Sequence, residues 1–284
     1  MLAARTRVRE LLGVLPYLVF IAFFLALPIV ANIIVAFTDA SGEFTLETMA
    51  EAMGPNYRGA FAQTALLSLV TTLGGGLIGL ALAWALATAQ RPKWLVRLAT
   101  SFAAVASQSG GVQLAYAFIA ALGTQGLITV AIEQIAPGLL SGFSITDFSG
   151  VALVYLYFQV PLMAVLMLPA MAAVKNAWYE AAASLGATRL EYLRDVALPV
   201  LWPSIVGSLL LLFCNAFAAY ATAYALAGGS LNLVPILIGF FISGNVLLDP
   251  GMAAALVTWM MLIILTAMGL RLLVTRRSER WLNK

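Results

Sequence analysis

Six stretches of the chain contain no Asp, Glu, Lys or Arg: 11–38, 59–90, 98–132, 148–174, 196–248 and 250–270. A helix needs about 20 apolar residues to cross a bilayer, so each stretch can hold at least one crossing. A transmembrane sheet barrel would instead show alternating segments of about 10 residues, and no such alternation occurs. The pattern predicts helical spans at about 11–37, 61–89, 98–120, 150–172, 203–227 and 250–270. Arg5, Arg7 and Arg9 precede the first run in the manner of a secretion signal. That run is too long for one, however, and ends without a small-x-small cleavage site, which predicts a retained helix.

The stretch 196–248 is long enough for two crossings, and the basic residues decide between six spans and seven. Membrane proteins concentrate Lys and Arg in their cytoplasmic loops. With six spans and both termini inside, the cytoplasmic segments are 1–10, 90–97, 171–202 and 271–284. They hold every basic residue except Arg58, 14 of 15. A seventh span would move Arg271, Arg276, Arg277, Arg280 and Lys284 to the wrong side. The same topology places Asp39, Glu43, Glu47, Glu51, Glu133, Asp147 and Asp249 outside. Gly228, Gly229 and Ser230 break the chain after the fifth span, so the apolar segment 231–248 should lie at the membrane edge or line a pore without crossing. A similar short segment is expected at 125–136.

Composition narrows the chemistry. Of 284 residues, 63% are apolar and 10% charged, with a mean hydropathy of +0.99. Soluble domains carry about 25% charged residues, so this chain is an all-α polytopic membrane protein, read as one transmembrane domain over 1–284. One cysteine, Cys214, excludes a disulfide scaffold, and the absence of histidine excludes imidazole-based triads and zinc sites. The net charge of only +3 gives no reason to expect nucleic-acid binding. No ionisable side chain falls inside a predicted span. Ion-coupled transporters and intramembrane proteases accept the cost of such groups, so any transport here should draw its energy from elsewhere.

Uncharged polar residues do occur in the spans: Gln63, Ser68, Gln108, Gln113, Tyr116, Asn215, Tyr220, Thr222 and Tyr224. Each could simply join helices by hydrogen bonds. As a set, Gln108, Gln113, Tyr116, Asn215, Tyr220 and Tyr224 are the candidates for a translocation path, because the third and fifth spans carry them. Gly74, Gly75, Gly76, Gly79 and Ala83 form a small-residue face on the second span, which predicts close helix packing. Ser109, Gly110 and Gly111 interrupt the third span as a kink, a hinge or a close contact.

The segment 171–202 differs in kind. It reads as two short helices, 175–185 and 188–196, with Gly186 between them able to adopt a left-handed cap. Thr188-Arg189-Leu190-Glu191 is a capping-box pattern for the second helix. Pro199 is expected to end that helix, and Trp202-Pro203 to lead into the fifth span. Leu190, Leu193 and Val196 give it a one-sided apolar stripe, as expected of a helix pair that docks on a partner.

Within this segment, Glu180-Ala181-Ala182, then Gly186, then Val196 and Leu198-Pro199 resemble the EAA loop of binding-protein-dependent ABC importer permeases, with Val196 where that family usually has Ile. Six identities at fixed spacing arise by chance at roughly 10⁻⁷ per start position, so coincidence is a weak explanation. The resemblance implies a type I importer permease fold in a bacterial cytoplasmic membrane, with the coupling loop at 171–199. It implies that Glu180 contacts a cytoplasmic ATPase, that Gly186 sets the angle between the helices, and that Ala181 and Ala182 permit close approach. Leu198 and Pro199 complete the motif. The implied partners are an ABC ATPase dimer inside, a solute-binding protein outside and a second permease, identical or homologous. The chain has no GxxxxGK[ST] phosphate loop, so it should not be an enzyme, and ATP and Mg should bind to the partner ATPase and no cofactor to this chain.

The Ser184-Leu185-Gly186-Ala187 context is similar to that of permeases for polyamines, ferric iron, thiamine, phosphonates or inorganic oxyanions, whereas sugar importers more often place Asp before the glycine. A small polar solute is therefore expected. A sugar-importing member of the same superfamily, a membrane scaffold that uses 171–202 only for recruitment, and a secondary transporter or channel are the alternative readings.

Overall fold

The computed structural model describes residues 14–39, 41–88, 92–243 and 248–282, without the side chains of Asn176 and 275–282. Arg5, Arg7, Arg9, Arg91 and Lys284 lie outside the described residues, as do 244–247 of the apolar segment. The regular elements are helices: α1 Val14–Ala36, α2 Glu47–Ala52, α3 Pro55–Thr88, α4 Lys93–Gln108, α5 Val112–Leu122, α6 Leu127–Ile135, α7 Phe148–Ala172, α8 Asn176–Ser184, α9 Arg189–Phe217, α10 Ala221–Ala227, α11 Val234–Ser243 and α12 Pro250–Leu282. Six stretches are long and apolar enough to cross a membrane: Val14–Ala36, Pro55–Thr88, Val112–Ile135, Phe148–Ala172, Arg189–Phe217 and Pro250–Val274. At 10 residues, α11 is too short to cross, as the sequence pattern predicts for that segment.

Two of the predicted spans are not continuous helices. The span expected at 98–120 is cut between α4 and α5, where Gly111 takes φ +94°, and the third candidate crossing is Val112–Ile135, which takes in most of the segment 125–136 that was expected not to cross. A Cβ at Gly111 would meet nothing within 4 Å, so glycine serves the backbone conformation there and not close packing. The span expected at 203–227 stops at Phe217 and resumes at Ala221. Both interruptions have tertiary partners, described with the site below.

The chain divides into two compact units, one of residues up to Arg58 with Leu237–Leu262, the other of Gly59–Ile236 with the residues from Ile263 onward. In the first unit, α1 buries only Ala36 among its described residues. Its Asn32 amide donates to the Ala254 carbonyl and to the Thr258 hydroxyl, both at 3.2 Å. The Trp259 indole N–H donates to the Met49 carbonyl at 3.0 Å, tying α2 to α12. Asp249 caps α12 by accepting the Met252 N–H at 2.9 Å.

The second unit is built on α7, against which α3, α4 and α9 pack. Ala83, Met163, Ala164, Met167, Met171, Leu201, Ile205 and Leu212 form one buried cluster. The small-residue face of α3 seats it there. A Cβ at Gly79 would strike the Val160 carbonyl and the Met163 side chain, and one at Gly75 would come within 2.7 Å of the Gln159 Cβ. With little hydrophobic drive between helices in lipid, such close approach is what gives α3 and α7 their dispersion contact. The Gln159 side chain, fully buried, donates to the Thr71 hydroxyl at 3.1 Å across this interface.

Replacing Gly79 with Ala should cost about 2–3 kcal/mol, because the methyl meets backbone that cannot step aside. Gly269→Ala, whose Cβ would meet nothing, should be neutral or mildly stabilising. Thermal unfolding of the two variants in detergent checks the contrast; equal transitions would remove the packing role assigned to Gly79.

Candidate functional site: paired helix breaks and a helix-pair loop

In an apolar surrounding, a helix break frees N–H and C=O groups that water cannot satisfy, so each must find a protein partner. Here the two breaks satisfy each other and draw on α7. The Gly111 N–H donates to the Thr222 hydroxyl at 2.7 Å, joining the break before α5 to the start of α10. The Ala219 carbonyl, in the break after α9, accepts from the buried Tyr155 hydroxyl of α7 at 2.8 Å. A third exposed end is treated alike: the Val234 N–H at the start of α11 donates to Thr64 of α3 at 3.0 Å, while that hydroxyl donates to the Ala60 carbonyl at 2.7 Å.

The six candidate path residues lie around these breaks. Gln108 ends α4 and Gln113 begins α5, with Tyr116 one turn on and 62% exposed. Asn215 lies in the last turn of α9, Tyr220 immediately precedes α10, and Tyr224 follows one turn later. The two tyrosine rings stack at 5.3 Å. All six side chains are exposed on the chain, whereas Ser68 and Thr222 are buried and hydrogen-bonded. Of the buried groups, Thr222 joins the two breaks and Ser68 bonds within its own helix to the Thr64 carbonyl, while Gln63 is half-buried and the exposed groups gather at the interruptions. Tyr155 and Gln159 carry the same mark, a polar side chain in an apolar span, but their partners lie 64 and 88 positions away and no local pattern names them.

The second feature is the loop around Gly186. There α8 ends in a Schellman turn: Gly186 takes φ +85°, its N–H donates to the Ala183 carbonyl at 3.0 Å, and the Ala187 N–H returns to the Ala182 carbonyl at 3.0 Å. Two residues later the Thr188 capping box starts α9: the Glu191 carboxylate accepts the Thr188 N–H at 2.7 Å, and the Thr188 hydroxyl accepts the Glu191 N–H at 3.3 Å. Both local predictions hold.

The end of the second helix does not fall where expected. Pro199 does not stop it; α9 runs on through Pro199 and Pro203 to Phe217. A π turn at Leu193–Ala197 accommodates this, with the Leu198 N–H reaching back five residues to the Leu193 carbonyl. The widened turn gives room for the proline ring that a regular α-helix would exclude. Leu198 and Pro199 therefore sit exposed on a helix that runs from the loop into a candidate membrane span.

Glu180 and Ala181 are exposed on α8, and Ala182 is half-buried. The apex leaves Leu185 89% and Leu190 74% exposed. The two helices are clasped by groups outside the motif: the Tyr179 and Tyr192 rings meet edge to face at 5.2 Å, and the Arg189 Nε donates to the Tyr179 hydroxyl at 3.2 Å. These residues come together only because Gly186 folds the chain back.

Solved structures share this fold. The chain superposes over 99% of its length on 99% of a chain of a bacterial ABC transporter that imports the acidic polysaccharide alginate, with TM-score 0.76 and 17% identity. It matches the same type of transporter bound to an alginate pentasaccharide-loaded periplasmic protein with TM-score 0.73 and 16% identity, covering 97% of this chain and 96% of that one. An inward-facing methionine ABC transporter gives TM-score 0.55 and 12% identity over 80% of this chain and 99% of that one. In sequence, 164 residues are 31% identical to a probable ABC transporter permease protein of Sinorhizobium fredii, 58% of this chain and 28% of that relative's length. The chain thus spans well under two thirds of the curated relative it matches. No family model matches the sequence. The chain is a multi-pass membrane protein with the ABC importer permease fold.

Thr222→Val removes the acceptor of the Gly111 N–H and should cost about 1–2 kcal/mol. Hydrogen exchange at Gly111 should speed up while amides within α7 keep their protection; unchanged exchange at Gly111 would show that the bond does not hold the two breaks together.

Proposed function

We propose that this chain is the permease subunit of an ATP-driven, binding-protein-dependent importer of a small polar solute in a bacterial cytoplasmic membrane, with both termini inside. The observation that carries this reading is the loop at 171–199, which offers bare Leu185 and Leu190 beside Glu180 on a conformation held by the Schellman turn and the capping box. Leu185 and Leu190 together give the loop an apolar surface that a partner can cover. A cytoplasmic ABC ATPase dimer is the partner the EAA pattern implies, and ATP and Mg belong to it. As the ATPase closes, it moves α8 and the start of α9. Because α9 has no break between the loop and Phe217, that motion reaches the interruption at 218–220, where Asn215, Tyr220 and Tyr224 line the proposed path with Gln108, Gln113 and Tyr116.

A solute-binding protein delivers the solute from outside, and a second permease, identical or homologous, completes the pathway. The alginate and methionine transporters of the same fold support this arrangement of parts. Tyrosine, glutamine and asparagine side chains suit a neutral hydrogen-bonding path, over which a polar solute exchanges water for protein partners. The energy for transport then comes from the ATPase and not from an ion gradient.

Two variants test the coupling role. Gly186→Val forces a β-branched residue into a left-handed conformation and should lower ATPase co-purification more than tenfold while membrane insertion stays normal. Leu185→Glu leaves every backbone hydrogen bond of the loop intact and should weaken ATPase association by a similar factor. Normal ATPase recovery with both variants would overturn the reading.

A further inference from the structure

The helix α4 has three faces of different chemistry. Ala103, Ala106 and Ser107 are buried where it packs on α7. The exposed half carries two stripes side by side. One is Trp94, Leu98, Phe102 and Val105, large apolar side chains that all stand exposed. The other is Lys93, Arg97, Ser101, Ala104 and Gln108, equally exposed but polar or small throughout. Both recur at the three- and four-residue spacing that aligns side chains along a helix.

The polar stripe has no partner within the chain. Among the described residues, the side chains of Lys93, Arg97, Ser101 and Gln108 make no hydrogen bond or ion pair. The neighbouring Thr100, Ser107 and Ser109 instead return their hydroxyls to carbonyls three or four residues back. Hydrocarbon offers open polar groups nothing to bond. Lysine and arginine at a helix end can reach the membrane surface along their own stems. Ser101 and Gln108 cannot, since at 1.5 Å per residue they lie about 12 Å and about 22 Å beyond Lys93. The two stripes therefore need different surroundings: lipid for the apolar one, and water or a polar solute for the other.

We propose that the translocation path continues from Gln108 along this stripe, with Ala104 and Ser101 lining its inner half and Arg97 and Lys93 at its cytoplasmic mouth. Gln108 already stands at the break that Thr222 joins, so the stripe begins where the residues around the interruptions leave off. Its length of about 22 Å covers most of a hydrocarbon core of about 30 Å. The second permease faces the stripe across a water-filled space, while Leu98, Phe102 and Val105 beside it face lipid. This inference rests on the permease reading and adds to it the half of the path that the breaks do not reach.

The test is cysteine accessibility in the transporter assembled with its ATPase, in inside-out membrane vesicles. Cys214, which is buried, is replaced by Ala, and single thiols are introduced by Ser101→Cys, Ala104→Cys, Phe102→Cys or Val105→Cys. A membrane-impermeant sulfonatoethyl methanethiosulfonate reagent on the cytoplasmic side should label positions 101 and 104 at least tenfold faster than 102 and 105, and all four equally in SDS. Trapping the ATPase with ATP and vanadate should slow labelling at 101 and 104 at least threefold, because a path closes toward the cytoplasm whereas a fixed wet surface keeps its rate. Labelling at 101 and 104 no faster than at 102 and 105, or unchanged by trapping, would overturn the proposal. If labelling fails in either way while Gly186→Val and Leu185→Glu both abolish ATPase recovery, the stripe falls and the permease reading stands. If both loop variants recover the ATPase normally, the permease reading falls and takes the path with it, whatever the labelling.

Discussion

The hydrogen bond from the Gly111 N–H to the Thr222 hydroxyl is the contact on which the central architecture depends. It joins two helix interruptions whose backbone groups lie outside any helical ladder and need partners. With Tyr155 holding the Ala219 carbonyl, both breaks become fixed parts of the bundle instead of unfolded turns. The exposed polar residues Gln108, Gln113, Asn215 and Tyr220 can then occupy defined positions beside them.

The loop around Gly186 solves the same backbone problem by other means. Outside the apolar layer, helix ends are satisfied locally, by the Schellman turn of α8 and the capping box of α9. Those devices act over five or six residues, which is why the loop's conformation was readable from Gly186 and Thr188-Arg189-Leu190-Glu191. The continuity of α9 through Pro199 was not, because it rests on the π turn at Leu193–Ala197.

The packing of α3 on α7 shows a third level. Gly75, Gly79 and Ala83 mark the contact face in the sequence, because small residues at four-residue spacing have little other use in a membrane helix. Their partners Gln159, Val160 and Met163 carry no equivalent mark, since an apolar helix presents similar side chains on every face. The division of polar residues into buried and exposed groups follows the same rule. Thr222 and Tyr220 are two residues apart and chemically alike in the sequence, yet one closes a helix break and the other stands open beside it.

The sequence by itself determined that six stretches can cross a membrane, that the charges are distributed unevenly between its loops, and that a capped helix pair lies at 171–199. These features arise from composition over about 20 residues or from backbone geometry within one turn, so neighbouring residues alone specify them. Only the tertiary structure decided where the fifth span breaks, that the interruption at Ser109, Gly110 and Gly111 is a break in the helix, and that α9 passes through its prolines. Of the breaks, each is stabilised by a hydrogen bond to a residue 64 or 111 positions away, and no local pattern can encode a partner that the fold has yet to bring into reach.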